Sequence, residues 1–265
     1  MLSTMLVGYS SSSEEECDAT RKERENGAPA KKMKLKETAE TKLPLPGCLL
    51  SMFPEEVDPQ TEDSSLHGGR IRSFKHERGN WATYIYLPYL PDEDFDELLE
   101  ELLSAASAAG VSLTQQEEFH LSLSQTVVLK HHWIQPFTQS LKVRLARCRR
   151  FACSAGRLKV YCNAEKTRTF LGMEVVTGHA QLLDLVQVVD TTMAEFHLET
   201  FYSDPSFHVS LAWCVGDETL QLKKCLHRLQ SVFDQHEDGA YLMRLDCGEL
   251  RCRSGNKTFR FSLQR

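Results

Sequence analysis

The hexapeptide FHLSLS at residues 119–124 recurs in the second half of the chain as FHVSLA at residues 207–212. Both copies alternate apolar and polar side chains, which is the period of a β-strand with one buried face. Because residues two apart on a strand point to the same side, each copy presents an imidazole and a hydroxyl together on its polar face. The polar pairs are His120 with Ser122 and His208 with Ser210, and the core residues are Leu121, Leu123, Val209 and Leu211.

Strand and helix patterns recur in the same way around each copy. Asp92 is a helix-capping residue before an apolar stripe that ends at Gly110, and Pro136 fits only the first turn of the next helix. The predicted strands are 82–87, 119–123, 158–163, 168–176, 207–214, 241–250 and 257–263, and helices are predicted from Asp92 and over 133–149, 179–197 and 217–235. This pattern predicts an α+β fold of two pseudo-symmetric lobes, each a small antiparallel sheet backed by helices, with a catalytic cleft between them.

Composition limits the class of protein. The chain has 265 residues and a net charge of −6, so the whole molecule is not a basic nucleic-acid binder and an anionic ligand must meet a local patch. Its nine cysteines form no CxxC pair or zinc-site spacing. Neither a signal peptide nor an apolar run long enough to span a membrane is present in the sequence. We therefore expect reduced thiols, a cytosolic or nuclear location, and no association with a membrane.

Residues 1–78 differ from the remainder and are predicted to be a disordered tail, which leaves 79–265 as the folded domain. The tail begins with a serine and glutamate run and contains few large apolar residues, so it cannot bury enough surface to offset its ordering entropy. Two basic clusters at 21–24 and 31–36 resemble a bipartite nuclear import signal, although basic runs are also common in tails without that role.

The repeated histidines indicate acid and base chemistry. A lone histidine on a strand is usually structural. Core packing, however, constrains only the apolar positions, so it does not explain why the same outward histidine and serine occur in both halves. Two imidazoles can act as base and acid in one turnover, and the hydroxyls can donate hydrogen bonds to phosphoryl oxygens. A serine nucleophile is disfavoured because no Gly-x-Ser-x-Gly elbow occurs. Two histidines without a carboxylate also make an incomplete metal site, so neither a metal nor another cofactor is expected.

Two further features suggest contact with a nucleic acid. Residues 130–168 hold ten lysines and arginines and one acidic residue, Glu165, which is typical of a phosphate-backbone footprint or of a solvated helix face. The basic residues are Lys130, Lys142, Arg144, Arg147, Arg149, Arg150, Arg157, Lys159, Lys166 and Arg168. Tyr202 precedes a predicted turn beside the second motif, where its ring would either stack on a base or belong to the core.

These motifs, together with the segments 163–171 and 204–213, resemble the 2H phosphoesterase superfamily. Within it, residues from about 80 to 265 are similar to the U6 small nuclear RNA phosphodiesterase family in its vertebrate form. The resemblance implies a monomeric nuclear 3'-to-5' RNA exonuclease that removes terminal uridines and adenosines from U6 small nuclear RNA. It also implies a 2',3'-cyclic phosphate product and no metal cofactor.

The resemblance assigns roles to individual residues. Catalysis falls on His120 and His208, with Ser122 and Ser210 on the phosphate. The implied nucleotide contacts are Leu121, Ala164, Tyr202, Asp204, Pro205, Ser206, Phe207 and Val209. Two alternatives stay open from the residues alone: an enzyme that opens 2',3'-cyclic phosphates, and a module that holds a nucleotide or RNA end without turnover.

Overall fold

The computed structural model describes residues 77–235 and 243–265, and the predicted tail with its basic clusters lies outside them, apart from its last two residues. The strands are β1 (Asn80–Tyr89), β2 (Thr114–Gln115), β3 (Phe119–Ser122), β4 (Val127–Lys130), β5 (Phe151–Cys162), β6 (Arg168–Thr177), β7 (His208–Val215), β8 (Arg244–Cys247), β9 (Glu249–Ser254) and β10 (Lys257–Ser262). The helices are α1 (Glu93–Ala108), α2 (Ile134–Leu145), α3 (His179–Glu195) and α4 (Thr219–Gln235), with a 3-10 turn at His131–Trp133.

The strands form two lobes that join at the repeated motifs. The hydrogen-bonded order is β10-β9-β1-β3-β7-β6-β5-β8, with β2 added to β7 and β4 added to β1. The first lobe ends at β3 and the second begins at β7, and these two strands pair antiparallel with each other. The predicted α+β fold with two antiparallel lobes is confirmed, and the two small sheets are continuous through this junction.

The core lies between this sheet and the helices. Leu121 and Val209 are fully buried, as the alternation of the motifs predicts. Helix α1 packs on α4, which also packs on β5, while α2 packs on α3 and on β10. Each lobe is therefore covered by helices on one face, and the polar residues of the motifs lie on the other face.

Local signals position α1 and α2. Asp92 caps α1 by accepting a hydrogen bond from the backbone N–H of Phe95 at 3.0 Å, because the first turn of a helix has no partner of its own for that group. Pro136 is the third residue of α2, where its missing N–H removes no helical bond. Among the described residues no helix combines the length and the apolar character needed to cross a bilayer.

The prediction of a single strand over 241–250 is wrong. Cys247 ends β8 and pairs with Phe151 in the second lobe, whereas Glu249 begins β9 and pairs with Ser262 in the first lobe. The chain therefore crosses between the lobes at Gly248. The short strands β2 and β4 were also not predicted, because two to four residues are too few to establish a period.

Candidate active site

The two motifs lie side by side at the junction of the lobes. Leu121 of β3 is directly opposite Val209 of β7. Extending this antiparallel register by one residue in each direction sets His120 opposite Ser210 and Ser122 opposite His208. Each histidine thus faces the serine of the other copy, and all four polar side chains are on the same face of the sheet.

The backbone fixes the orientation and tautomer of His208. Its Nδ1 lies 2.7 Å from the carbonyl oxygen of Ser206, to which it donates a hydrogen bond. The neutral ring therefore keeps Nε2 as an acceptor. The ring of Tyr161 stacks on the imidazole, with centroids 3.7 Å apart and planes 16° apart. Together these contacts hold a proton-accepting nitrogen in one orientation.

His120 is held in a corresponding way in the first lobe. The backbone of Glu118, which is two residues before His120 as Ser206 is before His208, favours the protonated form of the ring. Tyr84 and Tyr86 of β1 place their rings 5.8 and 5.1 Å from the imidazole. The pseudo-symmetry of the lobes therefore extends from the motif to the groups that orient it.

A polar cluster supports Ser206 and, through its carbonyl, His208. The Ser206 hydroxyl donates to Glu174 Oε1 at 2.9 Å and accepts from Lys159 Nζ at 2.9 Å. The hydroxyl of Tyr161 lies 3.1 Å from Ser206 Oγ, and Lys159 Nζ is 2.6 Å from Glu174 Oε1. Although partial burial opposes ionisation, the bonds from Lys159 and Ser206 hold the pKa of Glu174 below its usual range. The loop before His208 is thus attached to β5 and β6 by a charged network.

Gly172 makes the contact between Tyr161 and His208 possible. It lies on β6, between Lys159 of β5 and Ser210 of β7. A Cβ atom at this position would be 2.9 Å from Tyr161 Cε2 and 3.2 Å from His208 Cδ2. Only a residue without a side chain lets the tyrosine from the next strand reach over β6 to the imidazole.

Burial keeps both imidazoles neutral in the free protein. It lowers the pKa of His208 to about 4, opposed by the bond to Ser206 and reinforced by the charges of Lys159 and His120. Burial also lowers the pKa of His120, against the hydrogen bond and charge of Glu118 and with the aid of Arg253. A phosphodiester anion bound between the rings would raise both values, because an opposite charge favours the protonated form. The site is therefore suited to move a proton when an anion enters.

The remaining predicted nucleotide contacts in or next to the second motif and in the first motif differ in how exposed they are. Leu121, Val209 and Phe207 are buried, so these positions can reach a ligand only through their backbone. Pro205 is buried and Asp204 is exposed in the loop before His208.

Tyr202 and Ala164 lie farther along their loops. The ring of Tyr202 is half-buried and 5.0 Å from that of Phe201, and Gln125 Nε2 donates to the carbonyl of Thr200 at 2.8 Å. The segment that leads to Tyr202 is thereby tied to the end of the first motif. Ala164 lies in the turn between β5 and β6. Nucleotide binding by these positions stays a prediction.

The basic segment 130–168 does not form one surface. Arg157 and Lys159 contact Glu174 beside the site, Arg144 pairs with Glu195 of α3, and Lys166 pairs with Asp217. RNA contact by the segment as a whole stays a prediction. No group of three or more histidine, cysteine or acidic side chains suited to a metal ion occurs within residues 77–235 and 243–265.

Several residues of the site were not identified from the sequence: Tyr84, Tyr86, Tyr161, Gly172 and Glu174. The spacing of Tyr84 and Tyr86 does predict that they share one face of β1. Which face it is, and which residues lie across from it, depends on strand pairing that no local pattern encodes.

Several known proteins resemble this chain in sequence. The family model HVSL, described as an uncharacterised conserved protein, matches residues 43–262. U6 snRNA phosphodiesterase 1 of Danio rerio is 59% identical over 84% of this chain and 81% of its own length. The proteins of that name from Mus musculus and Homo sapiens are 53% and 48% identical over the full length of both chains.

Among solved structures, Kluyveromyces marxianus Usb1 with uridine monophosphate is 16% identical, with a TM-score of 0.49, and covers 69% of this chain and 97% of its own. The match to the family model and the identities to the vertebrate proteins extend across both His-x-Ser motifs. The chain therefore belongs to the HVSL family and to the family of the U6 snRNA phosphodiesterase 1 proteins.

Proposed function

We propose that the protein is an RNA phosphodiesterase that trims the 3' end of U6 small nuclear RNA as a 3'-to-5' exonuclease. The observation that carries the proposal is the pairing of β3 with β7, which sets two oriented imidazoles and two hydroxyls on one face. The choice of U6 small nuclear RNA as the substrate is based on the names of the vertebrate relatives. Uridines and adenosines are the nucleotides expected to be removed, and the nucleus is the expected location.

The proposed reaction is an internal transesterification. The 2'-hydroxyl of the penultimate ribose attacks its own 3' phosphorus, and the bond from phosphorus to the O5' of the terminal nucleotide breaks. One imidazole accepts the 2'-hydroxyl proton, and the other protonates the departing O5'. The products are a shortened RNA with a 2',3'-cyclic phosphate and a free nucleoside. Because the nucleophile belongs to the substrate, the protein supplies only positioning, proton transfer and charge stabilisation.

The serine hydroxyls are proposed to stabilise the charge on the phosphoryl group. Ser122 and Ser210 lie beside His208 and His120 in the antiparallel register, which suits them to donate to the two non-bridging oxygens as negative charge develops. No step of this mechanism uses a metal ion, and the protein is proposed to act as a monomer.

The identity of the acid depends on how the RNA end lies. If Tyr202 and the loop 204–207 hold the terminal nucleotide, His208 is beside the leaving O5' and acts as the general acid. His120 then accepts the proton of the 2'-hydroxyl. Because the pKa of His208 is low in the free protein, its ring is neutral there and has no proton to donate. A bound phosphodiester anion would raise this pKa, so His208 acts as an acid in the complex with RNA and not in the free enzyme.

The test is incubation of the purified protein with an oligouridylate in EDTA, followed by mass analysis of the products. Removal of the terminal uridine, with a 2',3'-cyclic phosphate left on the shortened end, is expected. Gain of water on a cyclic end without shortening would identify a cyclic phosphodiesterase, and retention of intact RNA would identify a binding module. Strict dependence on added Mg²⁺ or Mn²⁺ would refute the metal-free mechanism. A matched oligonucleotide with a 2'-deoxy penultimate sugar should bind and resist cleavage, since its nucleophile is gone.

A further inference from the structure

The first lobe exposes a set of arginines on the same face as the catalytic pair. Tyr86 of β1 is opposite both Ser122 of β3 and Arg251 of β9, and Arg251 is opposite Arg260 of β10. Directly opposed residues of antiparallel strands share a face. One row of side chains therefore runs from the phosphate-facing hydroxyl of Ser122 to the outer strand of the lobe.

Arg253 lies in the next row and completes this set. It is opposite Tyr84 of β1, as Arg251 is opposite Tyr86. Arg251 and Arg253 are two residues apart on one strand, a separation of about 7 Å. We name Arg251, Arg253 and Arg260 the arginine face.

The other side of the same strands belongs to the core. Leu250, Cys252 and Ser254 alternate with the arginines of β9 and are fully buried, and α2 packs on β10. The arginines therefore project from the side of the lobe opposite its buried core, the side on which the active site opens.

The charges on this face are only partly compensated. Arg251 pairs with Glu249 at 2.9 Å, and Arg253 pairs with Glu118 at 2.8 Å. The side chains of Arg253 and Glu118 are 39% and 61% exposed, so their pair is weak and can be exchanged for a phosphate. Arg260 is exposed and has no ion-pair partner among the described residues.

We propose that the arginine face binds the phosphates of the RNA strand on the 5' side of the scissile bond. The inference rests on the proposed function with the terminal nucleotide held by Tyr202 and the loop 204–207 in the second lobe, so that the remaining strand leaves across the first. The face is continuous with Ser122, its charge is complementary to the RNA backbone, and planar guanidinium groups match phosphate oxygens. Because backbone contacts carry no sequence information, oligouridylate and oligoadenylate should depend on the face equally.

Distance makes the proposal testable with short and long substrates. Three strand spacings separate Ser122 from Arg260, which is about 14 Å. A uridine dinucleotide has one nucleoside on the 5' side of the scissile phosphate and no further phosphate, so it does not reach Arg260. An oligouridylate of about ten nucleotides, within the usual site size of single-strand binding surfaces, does reach it.

The experiment compares Arg260→Gln with Lys257→Gln. Both substitutions remove one positive charge from an exposed residue of β10, but Lys257 is opposite the buried Ser254 and so lies on the other face of the strand. The measurements are kcat/KM for the dinucleotide and for the longer RNA, and the salt dependence of binding to a 2'-deoxy analogue of the longer RNA. Arg260→Gln should lower kcat/KM for the longer RNA relative to kcat/KM for the dinucleotide. It should also flatten the slope of log K against log salt by about 0.7, the value for one phosphate contact on a single strand.

The control and the substrates separate the possible results. Equal effects of the two substitutions, or an unchanged ratio for Arg260→Gln, would overturn the arginine face as a binding surface while leaving the proposed function intact. Failure of the unmodified protein to cleave either substrate would overturn the proposed function itself. A larger effect on oligouridylate than on oligoadenylate would also contradict backbone recognition.

Discussion

Replacement of Gly172 by alanine tests the geometry that orients His208. The new Cβ atom would lie 2.9 Å from Tyr161 Cε2, 3.1 Å from Tyr161 Cδ2 and 3.2 Å from His208 Cδ2. Carbon atoms prefer a separation of about 3.5–4.0 Å, so the tyrosine must recede by about 0.6 Å or more. Tyr161 is also attached to Ser206, and the stacked imidazole shares the strain. The substitution should cost about 1–3 kcal/mol of folding free energy, the range for overpacked sites.

The effect on the reaction should exceed the effect on stability. Displacement of a catalytic group by about 1 Å can reduce a rate by about 10²-fold, and the displaced atom Cδ2 is bonded to the reactive Nε2. Gly156→Ala is the matched control, because its Cβ atom would meet only Val176 Cγ2 at 3.9 Å, an ordinary contact.

Two measurements decide the outcome: the free energy of unfolding in urea and the single-turnover rate on an oligouridylate. Gly172→Ala should lose both stability and rate, and Gly156→Ala should keep both near the wild-type values. A Gly172→Ala protein that matches Gly156→Ala in stability and cleaves at the wild-type rate would refute the role of the tyrosine stack. Adding Tyr161→Ala should recover part of the lost stability, since it removes the closer of the two overlaps.

The remaining predictions concern proton transfer, pH and charge. His120→Ala and His208→Ala should each lower single-turnover cleavage by about 10²–10⁴ while RNA binding persists; near-wild-type turnover of either folded variant would contradict two-histidine catalysis. Burial of His208 with a pKa of about 4 means that the unfolded chain binds more protons between pH 4 and 6.5, so stability should rise with pH across that window, by about 3 kcal/mol from this group. The free energy of unfolding of His208→Gln, measured in urea, should lack this rise between pH 4 and 6.5. A pH dependence equal to that of the wild-type protein would argue against a buried neutral imidazole. A 5'-thio leaving group needs little protonation and should rescue His208→Ala but not His120→Ala, whereas rescue of His120→Ala would reverse the acid and base assignment. Replacement of Arg147, Arg149 and Arg150 by glutamine should weaken RNA binding and flatten its salt dependence. Deletion of residues 1–78 should preserve cleavage of short RNA while reducing nuclear accumulation. If the protein without these residues is inactive on short RNA, the predicted domain boundary is wrong.

Local sequence patterns predict the elements of this fold because their causes are local. The cap at Asp92 and the position of Pro136 depend on backbone groups within one helical turn, and both occur as predicted. The single strand predicted over 241–250 failed for the opposite reason. Nothing within ten residues indicates that Cys247 pairs in one lobe and Glu249 in the other.

The sequence by itself determined which residues of the repeated motifs face the core and which lie on the opposite, polar face, because the two-residue period of a strand is set by covalent geometry. Only the tertiary structure decided what those residues meet. The register of Leu121 against Val209 sets each histidine beside the other motif's serine, and the absence of a side chain at Gly172 admits Tyr161 from a strand two positions away. Such contacts join residues distant in the chain, so they arise from packing of the whole sheet rather than from any local pattern.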